Sequence, residues 1–227
     1  TASGGMVGKE LTNTFDHSMI YDVSKGRVGS FEWNPASGST VEFWFKKPSV
    51  LDATLTKKEV ILDIWNGELS SSDSYGRIRL EFNNTSGTGP LRLTMLSGTT
   101  AGFSDLDICP ASLAVSDVTD GAWHHYAVSV ENIGSDANID LYKDGTYINT
   151  TVSTGGAIQS IKNVSGGVNA YIGALQTATS GSATGQGWGK LSASLDEFRY
   201  WKKKRTTNEI GEFWFINMGG GTNKREY

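Results

Sequence analysis

Alternating apolar and polar residues dominate the chain and predict β-strands. The clearest run is 77–82, where Ile78, Leu80 and Phe82 share one face and charged residues occupy the other. The same period of two recurs at 91–95 and at 126–130. Further strands are predicted at 28–34, 40–46, 59–65, 168–173 and 191–201. Roughly ten short strands, each with one apolar face, predict an all-β antiparallel sandwich of two sheets.

Two local signals predict a hairpin and a single helix. Asp144-Gly145 separates the alternating residues around Ile139 from those around Ile148, which is a strong β-hairpin signal. Thr206 and Glu209 have the spacing of a capping box, so a short helix is expected to begin there. The whole chain, 1–227, is predicted to be one domain with its core at about 14–216. The polar tail, 217–227, is expected to be a frayed end rather than a tether.

Composition narrows the classes of partner. The net charge of −4 is spread along 227 residues, which disfavours nucleic acid and anionic membranes as partners. No apolar run approaches the ~20 residues that cross a bilayer. The basic run 202–205 joins the last strand to the helix and is predicted to be a solvated turn rather than a polyanion patch. Cys109 is the only cysteine, and a secreted β-protein without disulfides is more typical of bacteria or their viruses.

The opening residues leave the route of export undecided. The first ten residues contain neither a charged start nor an apolar segment, so no signal peptide is predicted. A leader that has been removed, a domain of a larger protein and another export route all stay open.

A series of motifs in the second half of the chain provides a family resemblance. The motifs, in order, are Asp120-Gly121-Ala122-Trp123-His124-His125, Asp144-Gly145, Ile172-Gly173, Leu195-Asp196-Glu197-Phe198-Arg199-Tyr200-Trp201 and Thr206-Thr207-Asn208-Glu209-Ile210. Together with the early strand 41–46, they resemble laminin-G-like domains of the concanavalin A type over roughly residues 28–215. The resemblance implies a two-sheet jelly roll with one short C-terminal helix. It leaves open sugar binding, protein binding, glucanase activity and a structural role.

Catalysis is not expected. The glucanases of this fold carry E-x-D-x-x-E on one strand, because retaining hydrolysis needs two carboxylates about 5–5.5 Å apart. In the nearest segment, beginning at Glu59, Ile61 and Ile64 replace the second and third carboxylates. His124 and His125 are consecutive strand residues that point to opposite faces, so they are not expected to bind one metal together. Structural roles are therefore favoured for this pair and for Trp123, which is expected to cover the end of the sandwich.

Calcium is the cofactor that the resemblance suggests. Many domains of this fold hold a structural Ca²⁺, which takes six to eight oxygen ligands. Asp196 corresponds to the family aspartate near such a site, and Asp16 or Asp22 is expected to meet it. The alternative is that Asp196 only accepts local hydrogen bonds. Asp105 and Asp107 form a second acidic pair, predicted to be solvated in a loop.

Tryptophans mark the candidate sugar site. Trp44, Trp123, Trp201 and Trp214 lie on motif strands or the helix and are predicted to pack, which leaves Trp33, Trp65 and Trp188 near loops.

The predicted ligand-binding residues are Asp63, Trp65, Asn66 and Trp188. Alternation places Asp63 beside Trp65, opposite Leu62 and Ile64, and Asn66 follows in the turn. Trp188 lies in a glycine-rich loop, where an exposed ring is commonly functional. The recognition surface is therefore expected on the loops that contain Trp65 and Trp188, and not on the concave sheet face, where residues such as Arg77, Arg79 and Glu81 offer charge and no ring.

The function predicted from these features is that of a non-catalytic carbohydrate-binding or adhesion module. It is expected to be extracellular or displayed on a cell or virion surface, with a glycan or cell-surface polysaccharide as partner. The competing hypothesis is a structural or assembly domain, for example in a phage particle, that binds only neighbouring domains or virion proteins.

Overall fold

The computed structural model describes residues 11–12, 33–48, 58–85, 88–159, 161, 168–175 and 189–216. Its strands and helix are β1 (Leu11–Thr12), β2 (Ser39–Lys46), β3 (Lys58–Trp65), β4 (Gly76–Asn83), β5 (Leu91–Ser97), β6 (Ala101–Asp107), β7 (Trp123–Ile133), β8 (Asp136–Lys143), β9 (Thr146–Ser153), β10 (Asn169–Ile172), β11 (Ser194–Trp201) and α1 (Thr207–Phe213). One sheet has the order β1-β10-β3-β4-β5-β6 and the other β11-β2-β7-β8-β9. Within the described residues, all neighbouring strands pair in the antiparallel direction.

The core lies between the two sheets, as the alternation predicts. Ile78, Leu80 and Phe82 of β4 face Val128 and Val130 of β7 within one buried cluster. The jelly-roll prediction is thereby confirmed. The strand predicted at 28–34 lies mostly outside the described residues, and residues 33–34 are not in a strand.

The acidic pair at 105–107 was wrongly predicted to lie in a solvated loop. Residues 101–107 form β6, and Asp105 adopts a left-handed backbone (φ 56°) beside an irregular pairing of β5 with β6. Both carboxylates are ion-paired: Asp105 Oδ1 lies 2.6 Å from Lys58 Nζ, and Asp107 Oδ2 lies 3.4 Å from Arg92 Nη1. A β-bulge of this kind interrupts the alternation of apolar and polar residues, so the sequence pattern did not indicate a strand here.

The β8–β9 hairpin and the helix form as predicted and contact each other. Asp144 and Gly145 have positive φ (49° and 74°), as a two-residue hairpin turn requires. A Cβ atom on Gly145 would lie 2.3 Å from the Trp214 ring, so only glycine lets the end of the helix pack there. Thr206 Oγ1 accepts the backbone N–H of Glu209 (3.2 Å), and Glu209 Oε2 accepts that of Thr206 (2.8 Å), which completes the capping box.

Helix α1 covers the outer face of the five-stranded sheet. Ile210 packs with Ala127 and Tyr142, and the Trp214 ring lies 5.4 Å from that of Trp44. Below the helix, Arg205 Nη1 donates to Glu42 Oε1 (2.6 Å), and both side chains are buried. Burial opposes ionisation of Glu42, but nearby His125 and Arg205 outweigh it and lower the pKa of this carboxyl.

The basic run 202–205 is thus not simply a solvated turn. Arg205 is buried against Glu42, and Lys204 Nζ lies 2.8 Å from Asp140 Oδ2. Lys203 binds Glu209 in a more exposed pair (2.5 Å). These contacts make the run a structural connection between the last strand and the helix.

Three tryptophans lie in environments that the sequence did not predict. Trp33 is 1% exposed within the core, whereas Trp123 is 42% exposed and does not cover the end of the sandwich. Trp201 is only half-buried, with the Arg205 guanidinium 4.5 Å above its ring. Trp44 and Trp214 pack on each other outside the core.

Candidate functional site

The outer face of the six-stranded sheet is polar and concave. Lys58 on β3 reaches Asp105 on β6 (2.6 Å), although two strands separate them. On a flat sheet with a strand spacing of ~4.8 Å, their backbones would be at least about 14 Å apart, too far for the two side chains to bridge. The sheet therefore curves toward this side. We call this surface, with its charged residues Lys58, Asp63, Arg77, Arg79, Glu81, Arg92, Asp105 and Asp107, the concave face.

Ion pairs run across the concave face. Glu81 is paired with Arg79 (2.9 Å), and Arg92 binds both Asp105 (2.9 Å) and Asp107 (3.4 Å). Burial of Asp105 opposes its ionisation, but the hydrogen bonds and charges of Lys58 and Arg92 outweigh it and lower the pKa of this carboxyl. The Asp105 carboxylate is thus held in its charged form between these two cations.

Trp65 lies at one end of the concave face. It is the last residue of β3, and the Arg77 guanidinium lies 5.4 Å from the centre of its ring. Arg77 in turn binds Asp63 in a bidentate pair, Nε to Oδ1 and Nη2 to Oδ2, both 2.8 Å. The Trp65 Nε1 donates to the carbonyl of Glu68 (2.9 Å). The half-buried indole is thus fixed on its sheet side and along its polar edge.

The predicted neighbours of Trp65 have structural contacts. Asp63 is fully buried beneath Arg77, so it anchors the cation that supports the ring. Asn66 Oδ1 accepts the N–H of Gly76 (3.0 Å), and its Nδ2 donates to the carbonyl of Ser74 (2.6 Å), which closes the β3–β4 loop. The structure brings all three residues together, as the alternation predicts. Their contact with a ligand stays a prediction.

Arg77 is the residue of this cluster that the sequence did not single out. It lies opposite Trp65 in the β3–β4 register, and this pairing becomes visible only once the register is known. Trp188 lies outside the described residues, so its place at the site stays a prediction.

The predicted calcium ligands are only partly within the described chain. Asp196 is exposed, and its Oδ1 accepts the N–H of Glu197 (2.8 Å). Glu197, the next residue, has a positive φ of 46°, and its carboxylate is paired with Arg199 (3.3 Å). Asp16 and Asp22 lie outside the described residues. Among the residues that are described, no group of three acidic, histidine or cysteine side chains is placed to hold a metal, and Asp196 alone does not supply the six to eight oxygens that Ca²⁺ takes.

The chain matches one known family and is similar to several solved structures. Residues 24–211 match the model of a family described as the concanavalin A-like lectin/glucanases superfamily. No curated protein sequence matches the chain. Among solved structures, it is similar to the heptameric SAP-like pentraxin of Limulus polyphemus (TM-score 0.48, 19% identity, 79% of this chain and 70% of that one). It is also similar to the CBM40 of the Ruminococcus gnavus IT-sialidase bound to alpha2,3 sialyllactose (TM-score 0.48, 18% identity, 79% and 83%). A third is the endo-1,3-beta-glucanase of Streptomyces sioyaensis (TM-score 0.36, 19% identity, 61% and 53%).

Proposed function

The chain belongs to the concanavalin A-like lectin/glucanases superfamily, and on that premise we propose that it is a non-catalytic carbohydrate-binding module. The ligand is a glycan held at the Trp65 end of the concave face, beside Arg77, whereas the sequence predicted a surface on loops away from that face. The protein acts outside the cell or on a cell or virion surface, where polysaccharides are accessible.

The observation that supports this proposal is the fixed indole of Trp65. Among the described residues, no other aromatic side chain contacts its ring, and the ring is only half-buried. Arg77 and the Glu68 carbonyl restrict its motion, so little conformational entropy is lost when a ligand packs on it. An aromatic surface suits the apolar face of a sugar ring, and the surrounding charged and amide groups suit its hydroxyls.

The ion pairs of the concave face support a binding role over hydrolysis. A retaining glycosidase needs one carboxyl group with a raised pKa as the acid and a second as the nucleophile. Here Asp63, Glu81 and Asp105 each have a basic partner within 3 Å, and the pKa of Asp105 is lowered. These carboxylates stabilise the surface.

We infer the location outside the cell or on a surface from the proposed ligand, because polysaccharides are accessible there. Within the described part of the chain, no helix is both long and apolar enough to cross a membrane.

A glycan array with the wild-type protein, Trp65→Ala and Trp65→Phe tests the proposal. We expect binding to a subset of glycans, a loss of about tenfold or more in Trp65→Ala, and partial retention in Trp65→Phe. Equal melting temperatures would show that the variants are folded. Absence of binding across the array, or unchanged binding by Trp65→Ala, would contradict the site. Release of reducing sugar from a bound glucan would contradict the non-catalytic assignment.

One observation favours the second candidate, an assembly domain that binds protein. Three apolar residues at the end of α1 are exposed, namely Phe213, Phe215 and Ile216, with Phe215 at 60%. Contiguous exposed apolar residues commonly mark protein contacts. If Phe215→Ser and Ile216→Ser prevent co-purification with an assembly while the array shows no glycan binding, this second function is supported.

A further inference from the structure

Arg79 lies in the middle of β4 on the concave face, and its terminal nitrogens have no partner in the described residues. Its Nε is 2.9 Å from Glu81 Oε2. Within the described part of the chain, neither Nη1 nor Nη2 takes part in a hydrogen bond, although the side chain is 22% exposed. By contrast, Lys58, Arg77 and Arg92 use terminal nitrogens to bind carboxylates (2.6, 2.8 and 3.4 Å). Arg79 therefore offers two donor nitrogens to a ligand.

The carboxylates near Arg79 lie beneath the surface. The side chains of Asp63 and Glu81 are 0% and 4% exposed, and each has an arginine above it. Those of Asp105 and Asp107, on the far side of the same sheet, are 40% and 36% exposed. The concave face thus presents guanidinium groups near Trp65 and carboxylates near β6, and only the first part suits a negatively charged ligand.

Arg79 lies close to Trp65 on the same face. Arg77 is opposite Trp65 in the β3–β4 register, and Arg79 is two residues further along β4, so their side chains share a face. One strand spacing (~4.8 Å) and two residues (~3.4 Å each) place the backbones of Trp65 and Arg79 about 8 Å apart. Tyr171 of β10, which is half-buried and opposite Asp63, adds a second aromatic side chain to this side of the sheet. A short oligosaccharide can therefore contact the indole and the guanidinium together.

The free end of Arg79 has the geometry that binds a carboxylate. The planar guanidinium presents its N–H groups as a fork, which matches the two oxygens of a carboxylate. The ion pair between Nε and Glu81 restrains the side chain, so less entropy is lost on binding. A hydrogen bond to a charged acceptor is roughly twice as strong as one to a neutral hydroxyl. The site should therefore distinguish acidic sugars from neutral ones.

We propose that the glycan bound at the Trp65 end is acidic. A uronic acid carboxylate accepts hydrogen bonds from Nη1 and Nη2 of Arg79 while a sugar ring of the same chain packs on Trp65. This inference rests on the proposed function, since it names the class of glycan that the Trp65 site takes.

A binding assay on immobilised polysaccharides tests the ligand class. The polymers are polygalacturonate, alginate, hyaluronan and glucuronoxylan, each beside its carboxyl-reduced form, in which the carboxylates have become primary alcohols. We expect the wild type to bind at least one acidic polymer and to bind its reduced form about tenfold or more weakly, because charge-assisted hydrogen bonds are lost. Arg79→Gln should show the same loss on the acidic polymer. Arg79→Lys, which keeps the charge and loses the fork, should be intermediate.

Two further variants separate the carboxylate contact from other effects. Lys46→Gln removes the same charge from an exposed position on the five-stranded sheet, and it should bind like the wild type. Arg79→Gln leaves the buried Glu81 without its cation, so the Arg79→Gln, Glu81→Gln double variant, with the wild-type net charge, is measured as well. It should bind the acidic polymer as weakly as Arg79→Gln. Wild-type binding by this double variant would overturn the contact with Arg79.

The remaining outcomes separate this inference from the proposed function. Equal binding to acidic and reduced polymers, lost in Trp65→Ala and unchanged in Arg79→Gln, overturns the acidic ligand and leaves the site at Trp65. A preference for the acidic polymer that Arg79→Gln does not change overturns the contact with Arg79. Loss in Arg79→Gln with wild-type binding by Trp65→Ala supports the carboxylate contact and overturns the site at Trp65. Binding to neutral glycans alone overturns the acidic ligand, and no binding to any glycan overturns both proposals.

Discussion

His124 shows how one side chain links two turns. Its ring nitrogens bind Asp120 (2.9 Å) and Asp144 (2.7 Å), one from the turn before β7 and one from the β8–β9 hairpin. Partial burial of the ring opposes its charged form, but these hydrogen bonds outweigh burial and raise the pKa of His124 above its ordinary value. The charged imidazole therefore stabilises the end of the sandwich from which Trp123 projects.

This raised pKa predicts a pH-dependent stability. A group with a higher pKa in the folded state contributes stability fully below its unfolded pKa, about 6.5, and that contribution is lost as the pH rises through the folded pKa. His124→Gln should therefore lower the melting temperature more at about pH 5.5 than at about pH 9, and Asp144→Asn should act in the same direction. Melting curves at both values test this. A difference between wild type and variant that does not change with pH would contradict it.

Asp196 is the residue for a second test. If Asp196 binds Ca²⁺ together with Asp16 or Asp22, chelation should lower the melting temperature of the wild type. Calcium at 100 times its dissociation constant adds about 2.7 kcal/mol to the free energy of unfolding. Asp196→Asn should melt at the same temperature with and without chelator. Identical wild-type curves in both conditions would remove calcium from the account.

Residue environments were the least predictable feature of the sequence. Alternation correctly grouped Asp63 with Trp65, because side chains two positions apart share a face. It did not distinguish the buried Trp33 from the exposed Trp123. The burial of each tryptophan depends on contacts with segments that are distant in sequence, and the local pattern of residues does not predict those contacts.

At the scale of elements, helix α1 is held by a buried polar contact. Arg205 donates to Glu42 of β2 and to the carbonyl of Glu209 in the helix (2.6 and 2.8 Å). Arg199 also donates to the carbonyls of Phe213 and Ile216 at the other end of the helix. The docking of the helix thus depends on charge as well as on Ile210.

Loss of this contact should be costly. Arg205→Ala leaves the buried Glu42 carboxylate without its closest cation, and breaking a buried pair in this way typically costs about 3–5 kcal/mol. Lys203→Ala, in the same basic run, removes only a more exposed pair and should cost under about 1 kcal/mol. Urea unfolding of both variants tests the difference. Equal losses would contradict the structural role assigned to Arg205.

The elements that the sequence predicted are those with an unbroken pattern. Strands β4 and β5 alternate cleanly, and the capping box marks the start of α1. Strand β6 was missed because Gly102 and Asp105 both have positive φ and interrupt its alternation. Irregular strands can be identified only through their partners.

At the scale of the whole molecule, two features define the sandwich. The buried Lys47–Glu59 pair (2.9 Å) ties the end of β2 in one sheet to the start of β3 in the other. The two outer faces then differ: helix α1 covers one, and ion pairs line the other. The order of the laminin-G-like motifs along the chain predicted this architecture, because it gives the order in which the strands follow one another. The motif order did not predict the ion pairs across the concave face, which depend on the register of the strands.

The central claim is that a glycan binds at the indole of Trp65. The most direct measurement follows the indole N–H NMR signals of the seven tryptophans during titration with the glycan that binds best on the array. The Trp65 signal is assigned by its absence in Trp65→Phe. We predict a saturable shift of this signal, with those of the packed Trp44 and Trp214 unchanged. A titration in which the ligand binds and the Trp65 signal does not move would contradict the account.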